Sequence, residues 1–204
     1  MIARTEELLR NLQQYETAYP LAFPWNADEE EKPRYFRDSD GWWRAPSAQK
    51  TGKALIACTG DLMCEPRMTR ANQYGSAMFF HPLFQFVRGI LRGADFTIGN
   101  LETTVTAMTP YAGQYHTVAA KYHCNAPVVF LDALRYAGFD AFVNANNHNC
   151  DSAVAGLMDT NFALDRYGFM HTGTFQPAQK DRALLVEVCG IKIGIAPMIG
   201  MLYL

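Results

Sequence analysis

From residue 54 onward the chain alternates short apolar runs with stretches of helical period, and this alternation constrains the fold more than any other feature. Residues 54–58 (ALIAC) form an apolar run stopped by Thr59-Gly60-Asp61, which suits a buried parallel strand. Phe79 to Leu91 then reads as a helix, with Phe80, Leu83, Phe84, Val87 and Leu91 on one face and Gly93 as its stop. Residues 95–99 (DFTIG) give a second strand and residues 139–145 (FDAFVNA) a third. Between them, Asn125 is expected to cap a helix that has Pro127 near its first turn and Gly138 at its end. A further helix is expected from about Ser152 to Tyr167, and FMHTG (169–173) gives a fourth strand. ALLVEVC and IKIGIA flank Gly190 as paired strands. Strands alternating with helices predict an α/β fold with a largely parallel central sheet.

Composition separates this region from what precedes it. Of 38 charged residues, 17 lie within residues 1–53, including the run Asp28 to Glu31. That shift predicts an N-terminal helical and irregular arm over 1–52 and a domain over 53–204, the arm opening on a helix with Leu8, Leu9, Leu12 and Tyr15 on one face. A net charge of -2 argues against a general electrostatic binder of nucleic acid. No run approaches the ~20 apolar residues of a membrane span, and Glu6 and Glu7 stand where a signal peptide needs an apolar core. The five cysteines are odd in number and form no C-x-x-C pair, which reads as free thiols in a reducing cytoplasm.

Ligands of such sheets bind outside the carboxyl ends of the strands, so the residues that follow each strand matter most. They are Gly60 and Asp61 after the first, and Asn100 and Glu102 after the second. Asn146, Asn147, His148, Asn149 and Asp151 follow the third, and His171 and Thr172 close the fourth. Carboxylates, amide oxygens and imidazoles together are the ligand set of Mn²⁺, Fe²⁺, Zn²⁺ or Mg²⁺. Asn146-Asn147-His148 is an unusual choice for a turn made for structure alone. Asp151 is expected to cap the next helix through its side chain. His81, ahead of Pro82, reads as structural; His116 and His123 are candidates to line the cleft, and Arg67 and Arg70 are the cations nearest the first motif. Nothing in the sequence lowers the thiol pKa of Cys64 or Cys150, so neither is read as a nucleophile.

Gly60-Asp61-Leu62-Met63, Asn100-Leu101-Glu102 and Asn146-Asn147-His148-Asn149 with Asp151 together resemble the bacterial capsule-synthesis CapA family. It is also called the poly-gamma-glutamate biosynthesis (PGA_cap) family and is grouped with the calcineurin-like metallophosphoesterases. Gly156-Leu157-Met158-Asp159-Thr160, His171-Thr172-Gly173 and Val188 to Gly194 extend the similarity over roughly residues 53–200. The resemblance implies an α/β/β/α sandwich with a two-metal centre at the strand ends. It implies Asp61 as a first-strand ligand, Glu102 as the carboxylate of the second motif and Asn147 as an amide ligand. Asn100, standing where related phosphoesterases keep a bridging Asp, is implied as a further metal ligand, and His148 as general acid or as hydrogen-bond donor to the developing negative charge. Relatives add histidines on later strands, and no histidine follows His171, so the sandwich is expected to be incomplete at the C-terminus. The function so implied is metal-dependent hydrolysis in capsule or polyglutamate metabolism, on a phosphoester or an anionic polymer. The alternative is a non-catalytic or truncated member that binds an anionic polymer or a partner subunit. A second copy or a partner chain completing the sheet is a further expectation.

Overall fold

The computed structural model describes residues 32–46, 50–74, 77–106, 124–175 and 182–199. The expected helix on Leu8 to Tyr15, His116, His123 and the apolar run after Ile199 lie outside these residues. In chain order the first half holds β1 (Phe36–Arg37), β2 (Trp43–Arg44), β3 (Ile56–Asp61), α1 (Pro66–Ala71), β4 (Gln73–Tyr74) and β5 (Ala77–Met78). A 3-10 turn (His81–Leu83), α2 (Arg88–Arg92), β6 (Phe96–Asn100) and β7 (Thr104–Val105) follow. Then come β8 (Asn125–Ala126), α3 (Phe130–Ala137), β9 (Ala141–Val143), α4 (Ala153–Arg166), β10 (Met170–Thr172), β11 (Leu184–Val188) and β12 (Ile191–Ile195).

The central sheet has the order β10-β9-β6-β3, and every neighbouring pair in it is parallel, as the strand–helix alternation predicts. Side chains alternate across it. Phe96 and Ile98 of β6 face a second sheet, while Thr97 donates its hydroxyl to the Leu91 carbonyl on the helix side. On β9, Ala141 faces the second sheet and Phe142 the helices. Gly99 is needed on the helix side, where a Cβ would lie 2.7 Å from both Leu62 and Thr59. The four helices pack through Met68, Leu91, Leu131, Leu134 and Leu164 into one apolar core with Phe139, Phe142 and Phe169.

The second sheet has the order β1-β2-β11-β12. Its hairpin β11–β12 turns at Cys189 and Gly190, both at positive φ, as the glycine between two apolar runs predicts. Tyr35, Leu184, Val186 and Val188 bury themselves against Phe96, Ala141 and Met170, forming a core between the two sheets. The described residues therefore stack as helices, parallel sheet and second sheet. Residues 32–46, which composition groups with the arm, supply two strands of that second sheet through the parallel pairing of β2 with β11. Among the described residues, no helix is long and apolar enough to cross a membrane.

Three local expectations need correction. Phe79 to Leu91 is not one helix but a 3-10 turn and the short α2, because the backbone first closes i→i+3 bonds such as Phe84 N to His81 O. Phe86 and Ile90 consequently remain exposed, whereas Phe80 is fully buried. Asn125 does not cap a helix: it pairs in register with Thr104 in the β7–β8 ladder, and α3 starts five residues later at Phe130. Asp151 does not cap α4 either. Ser152 is the N-cap residue and makes no side-chain capping bond, while the Asp151 carboxylate is engaged elsewhere.

Candidate functional site

The parallel strands bring their C-terminal ends to one edge. Asp61 lies opposite Asn100 after a register shift in β3, and Asn100 lies opposite Val143. Backbone bonds lock the edge: Leu62 N donates to Asn100 O at 2.7 Å, Leu101 N to Val143 O at 2.8 Å, and Glu102 N to Leu62 O at 3.2 Å.

Asn100 stands between two acids. Its Nδ2 donates to Asp61 Oδ1 at 2.9 Å and to Glu102 Oε2 at 3.0 Å. An ionised carboxylate only accepts, so the amide nitrogen must face the acids and its Oδ1 must face away. That oxygen accepts from Asn146 Nδ2 at 3.0 Å, and the same Nδ2 donates to the Leu101 carbonyl at 2.9 Å. Asn146 Oδ1 is thereby turned to the Asn-Asn-His turn, where it accepts from His148 N at 3.2 Å. A chain of amides, anchored by carboxylates at one end and carbonyls along its length, sets the geometry of the site. Glu102 is buried, and its carboxyl is held above the usual carboxylate range by that burial and by the neighbouring Asp61.

His148 is half-buried in the turn, with its Nδ1 2.7 Å from Asp151 Oδ2. With the carboxylate accepting, Nδ1 carries the proton and Nε2 is the ring nitrogen left outside that bond. Asp151 Oδ2 also accepts from the Cys124 backbone N–H at 2.5 Å. Cys124 reaches this place because the β7–β8 ladder and the Thr104 hydroxyl, which donates to Cys124 O and meets Ser152 Oγ at 2.9 Å, hold it there. Ligand-capable atoms of Cys124, His148 and Asp151 all lie within 4.8 Å of one another. The Cys124 thiol, however, is pushed up to about 12, by burial first and then by Asp151 and other acids, which keeps it a thiol.

Below the turn, Asn144 donates to Asn161 Oδ1 at 3.0 Å and accepts from Thr174 N at 2.9 Å, and Asn149 donates to the Asn144 carbonyl. The structure thus joins Asp61, Asn100, Glu102 and His148 through Asn146. Asn147 lies in the same turn, partly exposed, with no side-chain hydrogen bond among the described residues. His171 stands apart: its Nε2 meets Asp165 of α4 at 3.0 Å. His81 stacks on Phe79 with centroids 4.6 Å apart, in keeping with its structural reading. Asp151 stands among the strand-end residues in the sequence, whereas Cys124 is not legible as a neighbour of the site. The His-x-x-Asp spacing was a local signal for the first, whereas only the β7–β8 pairing brings in the second.

Two carboxylates converging on one amide offer hard oxygen donors of the kind a divalent cation takes. Asp61 and Glu102 are the carboxylates that could hold one; the Asn147 side chain lies in the turn that carries His148.

A profile of the family described as "Bacterial capsule synthesis protein PGA_cap" matches residues 55–200. The chain belongs to this family. Among its relatives, the uncharacterized protein y4uA of Sinorhizobium fredii is 32% identical over 171 residues, and y4sH of the same organism is 29% identical over 171. Each alignment covers 81% of this chain and 35% of the relative. The PGA biosynthesis protein CapA of Bacillus subtilis is 26% identical over 136 residues, covering 66% of this chain and 34% of the relative. The chain thus spans about a third of the length of these curated relatives.

Proposed function

We propose that this PGA_cap chain carries the metal-dependent hydrolase centre of a CapA-like capsule or poly-gamma-glutamate biosynthesis protein, within a calcineurin-like sandwich whose domain runs from about residue 53 onward. The observation that carries the reading is the Asp61–Asn100–Glu102 array with the His148–Asp151 pair beside it, at the carboxyl edge of the parallel sheet.

A divalent cation bound there (Mn²⁺, Fe²⁺, Zn²⁺ or Mg²⁺) supplies charge neutralisation and an activated water. Asp61 and Glu102 would hold it through their carboxylates and Asn147 would offer an amide oxygen, while Asn100 bonds both acids and fixes their separation. Asp151 orients the His148 ring through Nδ1, so that Nε2 can hold a proton for the leaving group. The substrate class is a phosphoester or an anionic polymer. Among the described residues, β3 and β12 stand at sheet edges and offer a second copy or a partner chain a place to pair.

One observation favours a second, non-catalytic reading, in which the site binds an anionic polymer or partner: the Asn100 amide nitrogen donates to both carboxylates and occupies one acceptor site on each. Reconstitution with Mn²⁺, followed by metal analysis and hydrolysis of bis(p-nitrophenyl) phosphate, separates the two. The hydrolase reading expects Asp61→Ala to lose the metal. It expects His148→Ala to keep the metal while turnover falls by about 10²–10⁴-fold. A chain that takes up no metal, with Asp61→Ala indistinguishable from the parent, would leave only the binding reading.

A further inference from the structure

The turn from Asn146 to Asn149, which carries His148, is held at both ends. Asn146 is fixed on one side by Asn100 Oδ1 and the Leu101 carbonyl, at 3.0 and 2.9 Å. On the other side, Asn149 Nδ2 donates to the Asn144 carbonyl at 3.3 Å. Asn144, the first residue after β9, is itself tied in two directions. Its backbone N–H donates to Thr172 O at 3.0 Å, and its Oδ1 accepts from Thr174 N at 2.9 Å. Thr174 reaches it because Gly173, at φ +120°, lets the chain after β10 pass over the end of β9: a Cβ there would lie 2.5 Å from Ala145 N.

A further hold on Asn144 comes from α4. Asn161 is fully buried and accepts on one oxygen, Oδ1, from Asn144 Nδ2 at 3.0 Å and from Thr174 Oγ1 at 3.0 Å. Its Nδ2 is buried with no hydrogen-bond partner among the described residues. Stability alone does not call for amides here, because apolar side chains of the same shape would fill the space without that cost. What the amide supplies is direction. Its oxygen collects one donor from the end of β9 and another from the residues after β10. A connected buried network of this kind fixes one arrangement of the segments it joins.

We propose that Asn161 is a positioning residue for His148, acting through Asn144 and Asn149 to set where the turn holds the imidazole relative to the Asp61–Glu102 array. Asp151 orients the ring through Nδ1, whereas Asn161 steadies the backbone from which the ring projects. Without the Asn161 oxygen, the turn keeps its hold at Asn146 and loosens at Asn149. The inference rests on the hydrolase reading for its catalytic consequence and on the hydrogen bonds alone for its geometric one.

Asn161→Leu removes the accepting oxygen and keeps the branched shape, and two measurements on the full chain follow its effect. The first is amide hydrogen exchange, read residue by residue by NMR. His148 N–H, which donates to Asn146 Oδ1, and Asn149 N–H should exchange at least about tenfold faster than in the parent, the scale of one lost hydrogen bond, while the amides of α3 and β6 keep the parent's rates. The second is hydrolysis of bis(p-nitrophenyl) phosphate after reconstitution with Mn²⁺. Asn161→Leu should keep the metal and lower kcat by about tenfold, a fraction of the about 10²–10⁴-fold that a general acid contributes. In a His148→Ala background it should lower kcat no further, because a residue that acts through His148 then has nothing to position. Parent rates of exchange at His148 and Asn149 in a folded Asn161→Leu chain would overturn the proposal, as would an equal loss of turnover with and without His148. A parent that takes up metal and hydrolyses nothing overturns the hydrolase reading instead, and the positioning then stands or falls on the exchange rates. If Asn161→Leu does not fold, Asn149→Ala breaks the same relay at the turn and is judged by exchange at His148 and by the same comparison of backgrounds.

Discussion

Gly138 shows how one residue serves two ends. It closes α3 in the left-handed region at φ +99°, and its bare α-carbon gives room to the stem of Arg92. Gly52 shares the backbone conformation, at φ +70°, but a Cβ added there would meet nothing within 4 Å. Comparing the two separates backbone strain from crowding. Gly52→Ala should cost only the ~1–2 kcal/mol of a left-handed L-residue, and Gly138→Ala should cost more because Arg92 must also move. Urea unfolding checks this, and equal losses for the two variants would contradict it. The amide chain Asn100–Asn146–His148 is the other lesson at this scale. Its residue types were readable in the sequence, but the orientation of each amide follows from which neighbours can only accept, and those neighbours come from three different strand ends.

Among the elements, the join of β2 to β11 is the least expected from composition, which assigns β2 to an arm. It is sealed by an ion pair in register: Arg44 lies opposite Glu187, with Nε 3.0 Å from Oε2, and Lys50 adds a contact at 3.5 Å. The Arg44 bond first, and the charges of Lys50 and Arg44 with it, hold the Glu187 carboxyl below its ordinary 4.5. A depressed acid contributes stability at pH values above its unfolded pKa, and that contribution disappears as the pH falls through the folded value. Glu187→Gln should therefore lower the urea midpoint relative to the parent at neutral pH, with the gap closing below about pH 4.5. A gap independent of pH would mean that Glu187 acts through packing and not through charge. The hairpin β11–β12 and helix α4 were legible because each has a strong local signal, a glycine turn between two apolar runs in one case and a long stretch stopped by Gly168 in the other. The 3-10 turn and α2 were not, because the apolar spacing of Phe79 to Leu91 is compatible with either geometry and only packing on Tyr136 and Phe130 selects between them.

The whole molecule rests on two apolar cores that share the strands of one sheet. Phe142 points to the helices, within a run of aromatic contacts from Phe139 to Phe169 at centroid distances of 5.4 and 4.9 Å. Val186 is fully buried in the core between the sheets. Phe142→Ala should cost about 3–5 kcal/mol, a large share of the ~5–15 kcal/mol that holds a domain together. Because β9 places Phe142 in one core and Ala141 in the other, Phe142→Ala and Val186→Ala should lower the midpoint of the same calorimetric transition. Two separately shifted transitions would show that the layers unfold independently.

The sequence by itself determined the strand–helix alternation, the parallel sheet and the residues that follow each strand, because apolar period and turn chemistry are local properties. It also carried the family, whose motifs fall at those strand ends. Tertiary structure alone decided that Cys124 sits beside His148 and Asp151. It also decided that residues 32–46 belong to the second sheet. Each of these depends on contacts between segments distant in the chain. Such contacts form only when burial and hydrogen-bond satisfaction are settled for the molecule at once, and no local pattern encodes them.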